Sequence, residues 1–241
     1  MAWFGTQQAQ SHSVEQSFPS ARETGTILDK LLTFESRRIF SGIYDQLFTL
    51  VGPEPCRIVL VCSANSGEGT TSVAAGLAIA AAAKCPGPVL LIDGNVHDPT
   101  VCKIFGLTEQ AGLGNFLTDN TASLALVQQT AIVNLSVMDV GVLPNDYIPA
   151  LESRNFRSLL EHWSLTYRFI VLDGPAINVH PEPLLYAPQV DRVLLVVRAG
   201  KTRAPVVAKA LAKLAEAGCD KIEIILNRRT FVIPQAIYEK L

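Results

Sequence analysis

The sequence predicts an α/β protein with three α/β/α layers built on a mostly parallel, doubly wound sheet. Three observations carry that expectation. Short apolar runs recur along the chain without polar alternation, as strands buried on both faces require. Stretches with helical spacing separate them, so successive strands are joined by crossovers and run parallel. Of the 241 residues, 49% are apolar and 17% charged, enough for one sizeable core.

Residues 1 to about 26 are rich in Gln, Ser, Thr and Gly and read as a flexible tail. The expected organisation is a tail over 1–30 and one α/β domain over 31–241. Trp3-Phe4 interrupts the tail, and chance or weak packing on the body explains it more simply than a docking peg does. Over 31–50 the pairs Ile39/Phe40, Ile43/Tyr44 and Leu47/Phe48 recur at helical spacing, and Val51-Gly52-Pro53 ends the run.

The alternation then begins. Residues 57–62 form a buried-type strand, 64–69 a loop of small residues and 70–84 an Ala-rich helix. Further strands are expected over 89–93, 135–140, 169–173, 193–198 and 222–226. Helices are expected over 151–163 and 206–217, the latter closed by Gly218. Trp163 and Phe169 belong to the core. There is no internal repeat and no sign of a second domain.

Composition narrows the function classes. A net charge of −2 gives no broad nucleic-acid footprint, and no nucleic acid is expected as partner. Five cysteines without a C-x-x-C pair read as reduced, buried thiols, which suit the cytoplasm. The first residues lack the basic start and apolar run of a signal peptide. The longest apolar stretches, 58–62 and 73–83, fall short of the roughly 18–20 residues that span a bilayer. Any membrane association is therefore expected to come through a partner or a surface contact.

The stretch most informative about chemistry is Ser63-Ala64-Asn65-Ser66-Gly67-Glu68-Gly69-Thr70-Thr71-Ser72, between a strand and a helix. Small residues there let the backbone curl so that successive N–H groups point at phosphate, and the helix N-terminus adds its positive end. Against G-x-x-x-x-G-K-[ST], Ala64 replaces the first Gly, Gly69 and Thr71 fit, and Thr70 stands at the Lys position. Taken alone, the same residues also suit an ordinary tight turn. Residues 89–93 and 169–173 each end in a carboxylate, Asp93 and Asp173. Parallel strands bring their C-terminal ends to the edge where the loop sits. Both carboxylates are thus expected beside one Mg²⁺–nucleotide site, as catalytic residues and, with Thr71, as metal ligands. A loop-capping role is the plainer alternative for each.

In order along the chain, these motifs resemble the cytoplasmic P-loop NTPase-type domain of bacterial tyrosine kinases of capsule and exopolysaccharide synthesis. That group is akin to the septum-positioning and plasmid-partition ATPases. The resemblance runs from about Glu35 to about Arg229. The family's loop is similar to P-G-E-G-K-[ST]-[ST], and Ser66 to Ser72 keeps Gly67, Glu68, Gly69 and the hydroxyls while lacking Pro and Lys. Its second motif is similar to L-L-I-D-x-D-x-R-x-P; Asp93 and Pro99 match, while Asn95 and His97 replace Asp and Arg. Leu172-Asp173-Gly174-Pro175 resembles I-D-T-P. Val197-Arg198-Ala199-Gly200-Lys201-Thr202 resembles V-R-x-G-x-T.

Leu226-Asn227-Arg228 resembles L-N-R, which the resemblance places near the adenine. The resemblance therefore implies nucleotide contacts from Ser66, Gly67, Glu68, Gly69, Thr70, Thr71, Ser72, Asn227 and Arg228. Of the family's E-x-x-R-x-x-R, Glu35 and Arg38 match and Ser41 does not. Tyr238 stands alone where the kinases carry a tyrosine cluster.

These departures imply a weakened site for Mg-ATP or Mg-ADP, with no structural metal. The function implied is a catalytically impaired, regulatory partner of the cytoplasmic segment of a polysaccharide co-polymerase or export protein. Self-association into a homo-oligomer is compatible with it. An active Mg-ATP-dependent tyrosine kinase or ATPase is the alternative, with Lys201, Arg228 or a partner's residue supplying the missing charge. A positioning-type ATPase switch is the second. The four histidines are scattered in sequence; His97 is the one expected near the site, as a surface residue rather than a base.

Overall fold

The computed structural model describes residues 26–51, 57–119, 126–152 and 154–228. The sheet grows outward from its most apolar segments. β1 (Arg57–Ser63) lies between β5 (Phe169–Ala176) and β6 (Arg192–Arg198). β2 (Val89–Asp93) flanks β5, then β4 (Leu135–Met138); β7 (Ile222–Asn227) flanks β6. All these pairs are parallel. A short edge strand, β3 (Val127–Gln129), adds antiparallel to β4, so the seven-stranded order is β3-β4-β2-β5-β1-β6-β7. Every residue of β2, β4 and β5 is buried, which is why these strands read as continuous apolar runs.

Alternate residues of each strand feed two separate cores. Val59, Val61, Val89, Leu91 and Val171 face a layer containing α1 (Ile27–Leu31), α2 (Phe34–Val51), α3 (Thr70–Lys84) and α4 (Val101–Phe105). Leu60, Cys62, Leu90, Ile92 and Leu172 face the other layer. That layer holds α5 (Leu113–Asp119), α6 (Tyr147–Glu152), α7 (Arg154–Ser164), α8 (Glu182–Tyr186) and α9 (Ala204–Glu216). Trp163 and Phe169 are buried as expected, and Cys62, Cys85, Cys102 and Cys219 are free, buried thiols.

The expected α/β/α architecture is present, with differences at particular elements. The helix anticipated over 31–50 is α2, Phe34–Val51, and a separate short helix, α1, precedes it. α1 starts at Ile27, inside the stretch assigned to the tail, because Thr26 and Asp29 cap it reciprocally: each backbone N–H donates to the other's side chain, both at 3.1 Å. The strand anticipated over 169–173 continues to Ala176. Register shifts there, since Asp173 pairs with Val61 but Ala176 with Ser63, so β5 carries an extra residue beside the loop. α4, α5, α8 and β3 were too short, at seven residues or fewer, to show a periodic pattern. α9 closes at Gly218, φ +82°, whose N–H donates to the Ala215 carbonyl.

Among the described residues no helix is long and apolar enough to cross a membrane. Trp3-Phe4, Gly52-Pro53, Cys56 and the C-terminal stretch with Tyr238 lie outside the described residues.

Candidate functional site: a phosphate-type cleft at the sheet edge

β1 delivers its C-terminal end to a loop that curls back before α3. Gly67 (φ +77°) and Gly69 (φ +89°) take left-handed backbone that side chains resist. A Cβ on Gly69 would also stand 2.5 Å from Asn227 Nδ2. Gly69 is the N-cap of α3 and brings no side-chain cap, so the first amides of this 15-residue helix are left for another acceptor.

The loop is held from below by Glu68. Its side chain is buried and turned into the body. Oε2 accepts the backbone N–H groups of Ala64 (2.9 Å) and Asn65 (3.1 Å), and Oε1 accepts the Thr202 hydroxyl. Asn227 Nδ2 donates to the Glu68 carbonyl at 2.8 Å, and Asn227 Oδ1 accepts the Arg228 N–H at 2.8 Å. Glu68 and Asn227, expected as nucleotide contacts, therefore use their side chains to shape the loop itself. A Glu68→Ala variant loses three accepted bonds and strands two amides. It is expected to cost roughly 2–4 kcal/mol of stability. Denaturant unfolding checks this; a loss below about 0.5 kcal/mol would remove Glu68 from this role.

A cleft of about 280 Å³ opens above the loop. Ser66, Gly67, Gly69, Thr70, Thr71 and Ser72 form one side, and Asn95, His97, Asp98, Thr100, Pro175 and His180 line the rest. The expected loop residues, Glu68 apart, are thus brought together on one wall, while Asn227 stands behind Gly69. No Lys or Arg is among the described residues lining this cleft. On the far side of the loop a recess of about 210 Å³ shares Ser66 and Gly67 and is lined by Arg198, Lys201 and Arg203.

Asp93 and Asp173 are adjacent in the β2–β5 register and both fully buried. Their environments differ. Asp93 Oδ1 accepts the Asn95 N–H at 3.1 Å, and Oδ2 accepts those of Thr100 and Val101, both at 3.0 Å. It caps α4 and pins the turn after β2. Burial nonetheless pushes its pKa up to about 7, against the pull of those bonds, and the Asp139 charge adds to the rise. Neither oxygen of Asp173 has a hydrogen-bond partner of good geometry among the described residues. Burial and the neighbouring Asp93 hold its carboxyl well above the usual range, and the Thr71 hydroxyl beside it offsets part of that. Neither carboxylate is among the residues lining the cleft, but Asp173, buried and orphaned beside the Thr71 hydroxyl that does line it, has the hard oxygen chemistry that Mg²⁺ takes.

The opposite wall holds a group that spacing did not reveal. His97 was expected alone near the site, but His180 stacks on it, ring centroids 3.7 Å apart. Glu182, fully buried, accepts from Tyr147 at 2.7 Å and contacts His97 Nε2 at 2.8 Å. Burial acts to raise the Glu182 carboxyl, yet the Tyr147 and His97 bonds bring it below its ordinary value. Burial and His97 lower the His180 imidazole. The signal in the sequence was His180-Pro181-Glu182, beginning seven residues after Asp173 at the end of the fourth apolar strand, but nothing local tied it to His97, 83 residues earlier.

No family model matches the chain. It is 29% identical over 203 residues to the CapB protein of Staphylococcus aureus, covering 84% of this chain and 85% of that one. It is 30% identical over 169 residues to the tyrosine-protein kinase YwqD of Bacillus subtilis, covering 70% of this chain and 71% of that one. The crystal structure of the chimerical protein CapA2B2 shares the fold, with a TM-score of 0.76 at 24% identity over 90% of this chain and 92% of that one. A shared fold, a glycine-shaped loop at the sheet edge, and this degree of likeness to YwqD lead to one assignment: the chain belongs to the family of bacterial tyrosine kinases of capsule and exopolysaccharide synthesis.

Proposed function

We propose that this protein is a regulatory member of its family that binds Mg-nucleotide weakly through the phosphate loop and has lost most phosphoryl transfer. It would act at the cytoplasmic face of the membrane, on the cytoplasmic segment of a polysaccharide co-polymerase or export protein. The observation that carries the reading is the cleft without Lys or Arg among its described lining residues. Amides of the loop and of the α3 N-terminus, with the hydroxyls of Ser66, Thr70, Thr71 and Ser72, orient an anion well. They do not neutralise the charge that phosphoryl transfer concentrates there.

Thr71 and Asp173 are the groups that would hold Mg²⁺, which when bound supplies charge neutralisation for the phosphates. Asp93, tied to three amides, positions the turn carrying Asn95 and keeps capacity to accept one more bond toward the site. In the kinase reading, that capacity would serve a hydroxyl or water.

Calorimetric titration with Mg-ADP and Mg-ATP tests the proposal, beside phosphate-release and autophosphorylation assays. Weak binding that disappears in Asp173→Ala, with turnover no higher than in that variant, is expected. Turnover well above the Asp173→Ala background would overturn it in favour of an active kinase. One feature supports that second reading: Arg198, Lys201 and Arg203 gather in the recess across the loop, within reach of Ser66 and Gly67.

A further inference from the structure

We propose that His97, His180 and Glu182 form a site for one divalent transition-metal ion of the Zn²⁺ class, on the cleft wall facing the phosphate loop. The proposal is independent of whether nucleotide binds. Among the described residues this is the group of His, Cys, Asp and Glu side chains close enough to hold a metal ion, each offering one donor atom with all three donors within 4.8 Å of one another. Tetrahedral sites with bonds near 2.0–2.1 Å place their donors about 3.3 Å apart. His97 Nε2 and Glu182 Oε1 stand at 2.8 Å, and the His180 donor lies within 4.8 Å of both.

Two imidazoles and one carboxylate match a borderline ion, whereas Mg²⁺ prefers oxygen ligands throughout. The chemistry therefore separates this site from the Thr71–Asp173 pair.

Three further features point to a ligand. Glu182 is fully buried, and its Oε2 has no partner among the other described residues. A carboxylate in that position ordinarily faces a charge or a full set of donors. Tyr147 donates to Glu182 Oε1 at 2.7 Å, the kind of outer-shell bond that orients a metal-ligating carboxylate. The ligands also come from separate segments, His97 from the turn after β2, His180 from the β5–α8 connection and Glu182 from the first residue of α8, so a metal would cross-link two walls of the cleft. Both histidines line the cleft, which leaves the remaining coordination positions open to water or to an anion held by the loop. That arrangement of three protein ligands and an open position is the one catalytic zinc sites use.

Titration of the full chain with Co²⁺, without nucleotide, tests the proposal by calorimetry and visible absorption. One equivalent is expected, with the visible bands of a low-symmetry nitrogen–oxygen site and no thiolate charge-transfer absorption. His180→Ala and His97→Asn should each weaken binding at least a hundredfold, and Tyr147→Phe about tenfold. Asp173→Ala should leave Co²⁺ binding in place, which keeps this outcome distinct from failure of the nucleotide site. Glu182→Gln is the direct variant but alters a buried group; the two histidines, at the cleft surface, report without that risk. No binding, thiolate absorption, or affinity unchanged in both histidine variants would overturn the assignment and leave a hydrogen-bonded His–Glu–Tyr cluster.

Discussion

A Thr70→Lys variant is expected to bind Mg-ATP ten- to a thousandfold more tightly than the wild-type protein. Thr70 is the first residue of α3 and lines the cleft between Gly69 and Thr71. A lysine there would carry its ammonium over the cradle, where none of the described lining residues has a positive side chain of the Lys or Arg type. Each charge-assisted hydrogen bond to phosphate contributes about 1.5–3 kcal/mol, and each 1.4 kcal/mol is a factor of ten in affinity. A cation at a helix N-terminus opposes the macrodipole by about 0.3–1 kcal/mol, too little to cancel the gain. Calorimetry at fixed Mg²⁺ measures the change. Equal affinity in wild type and variant would mean that another cation, such as Lys201 of the neighbouring recess, already supplies the charge. The weakened-site reading would then fail.

The second large effect is on stability against pH. Asp93 has its pKa raised to about 7 by burial, and Asp173 is raised well above the ordinary carboxylate range for the same reason. In the unfolded chain both return to about 3.9. The folded protein therefore binds more protons than the unfolded one between those values. The stability these groups contribute is fully present below about pH 4 and is lost as pH rises through about 7.

Without metal, the protein is expected to melt about 5–10 °C lower at pH 8 than at pH 5.5, from roughly 2–4 kcal/mol of linkage. Asp173→Asn removes the orphaned charge and should flatten the profile while raising the melting temperature at pH 8. Saturating Mg-ADP should flatten it too, by supplying the missing counter-charge. A wild-type melting temperature that does not fall between pH 5.5 and 8, or an Asp173→Asn profile of the same slope, would refute the account.

Glu68 and Asp93 show where motif reading reaches its limit. Both sit at motif positions, and the motif names them without saying where their oxygens point. The fold directs the oxygens of Glu68 to Ala64, Asn65 and Thr202, the last of these 134 residues away. It spends the oxygens of Asp93 on the amides of Asn95, Thr100 and Val101. Asp173, its register partner on β5, is left with none among the described residues. Two carboxylates that look equivalent at the ends of apolar strands thus differ in role, because buried amides take whichever acceptor the turn brings nearest.

What the sequence determined by itself is the layering, the phosphate-type loop and the family. Continuous apolar strands, an Ala-rich helix directly after a small-residue loop, and two strand-end carboxylates are local patterns, set by burial period and backbone freedom. What only the tertiary structure decided is everything assembled across segments. The cleft without lysine or arginine among its described lining residues, the basic recess behind the loop, the orphaned Asp173 and the His97–His180–Glu182 group are of this kind. Each depends on distances between residues tens of positions apart, and parallel crossovers fix those distances only once the strands have found their order.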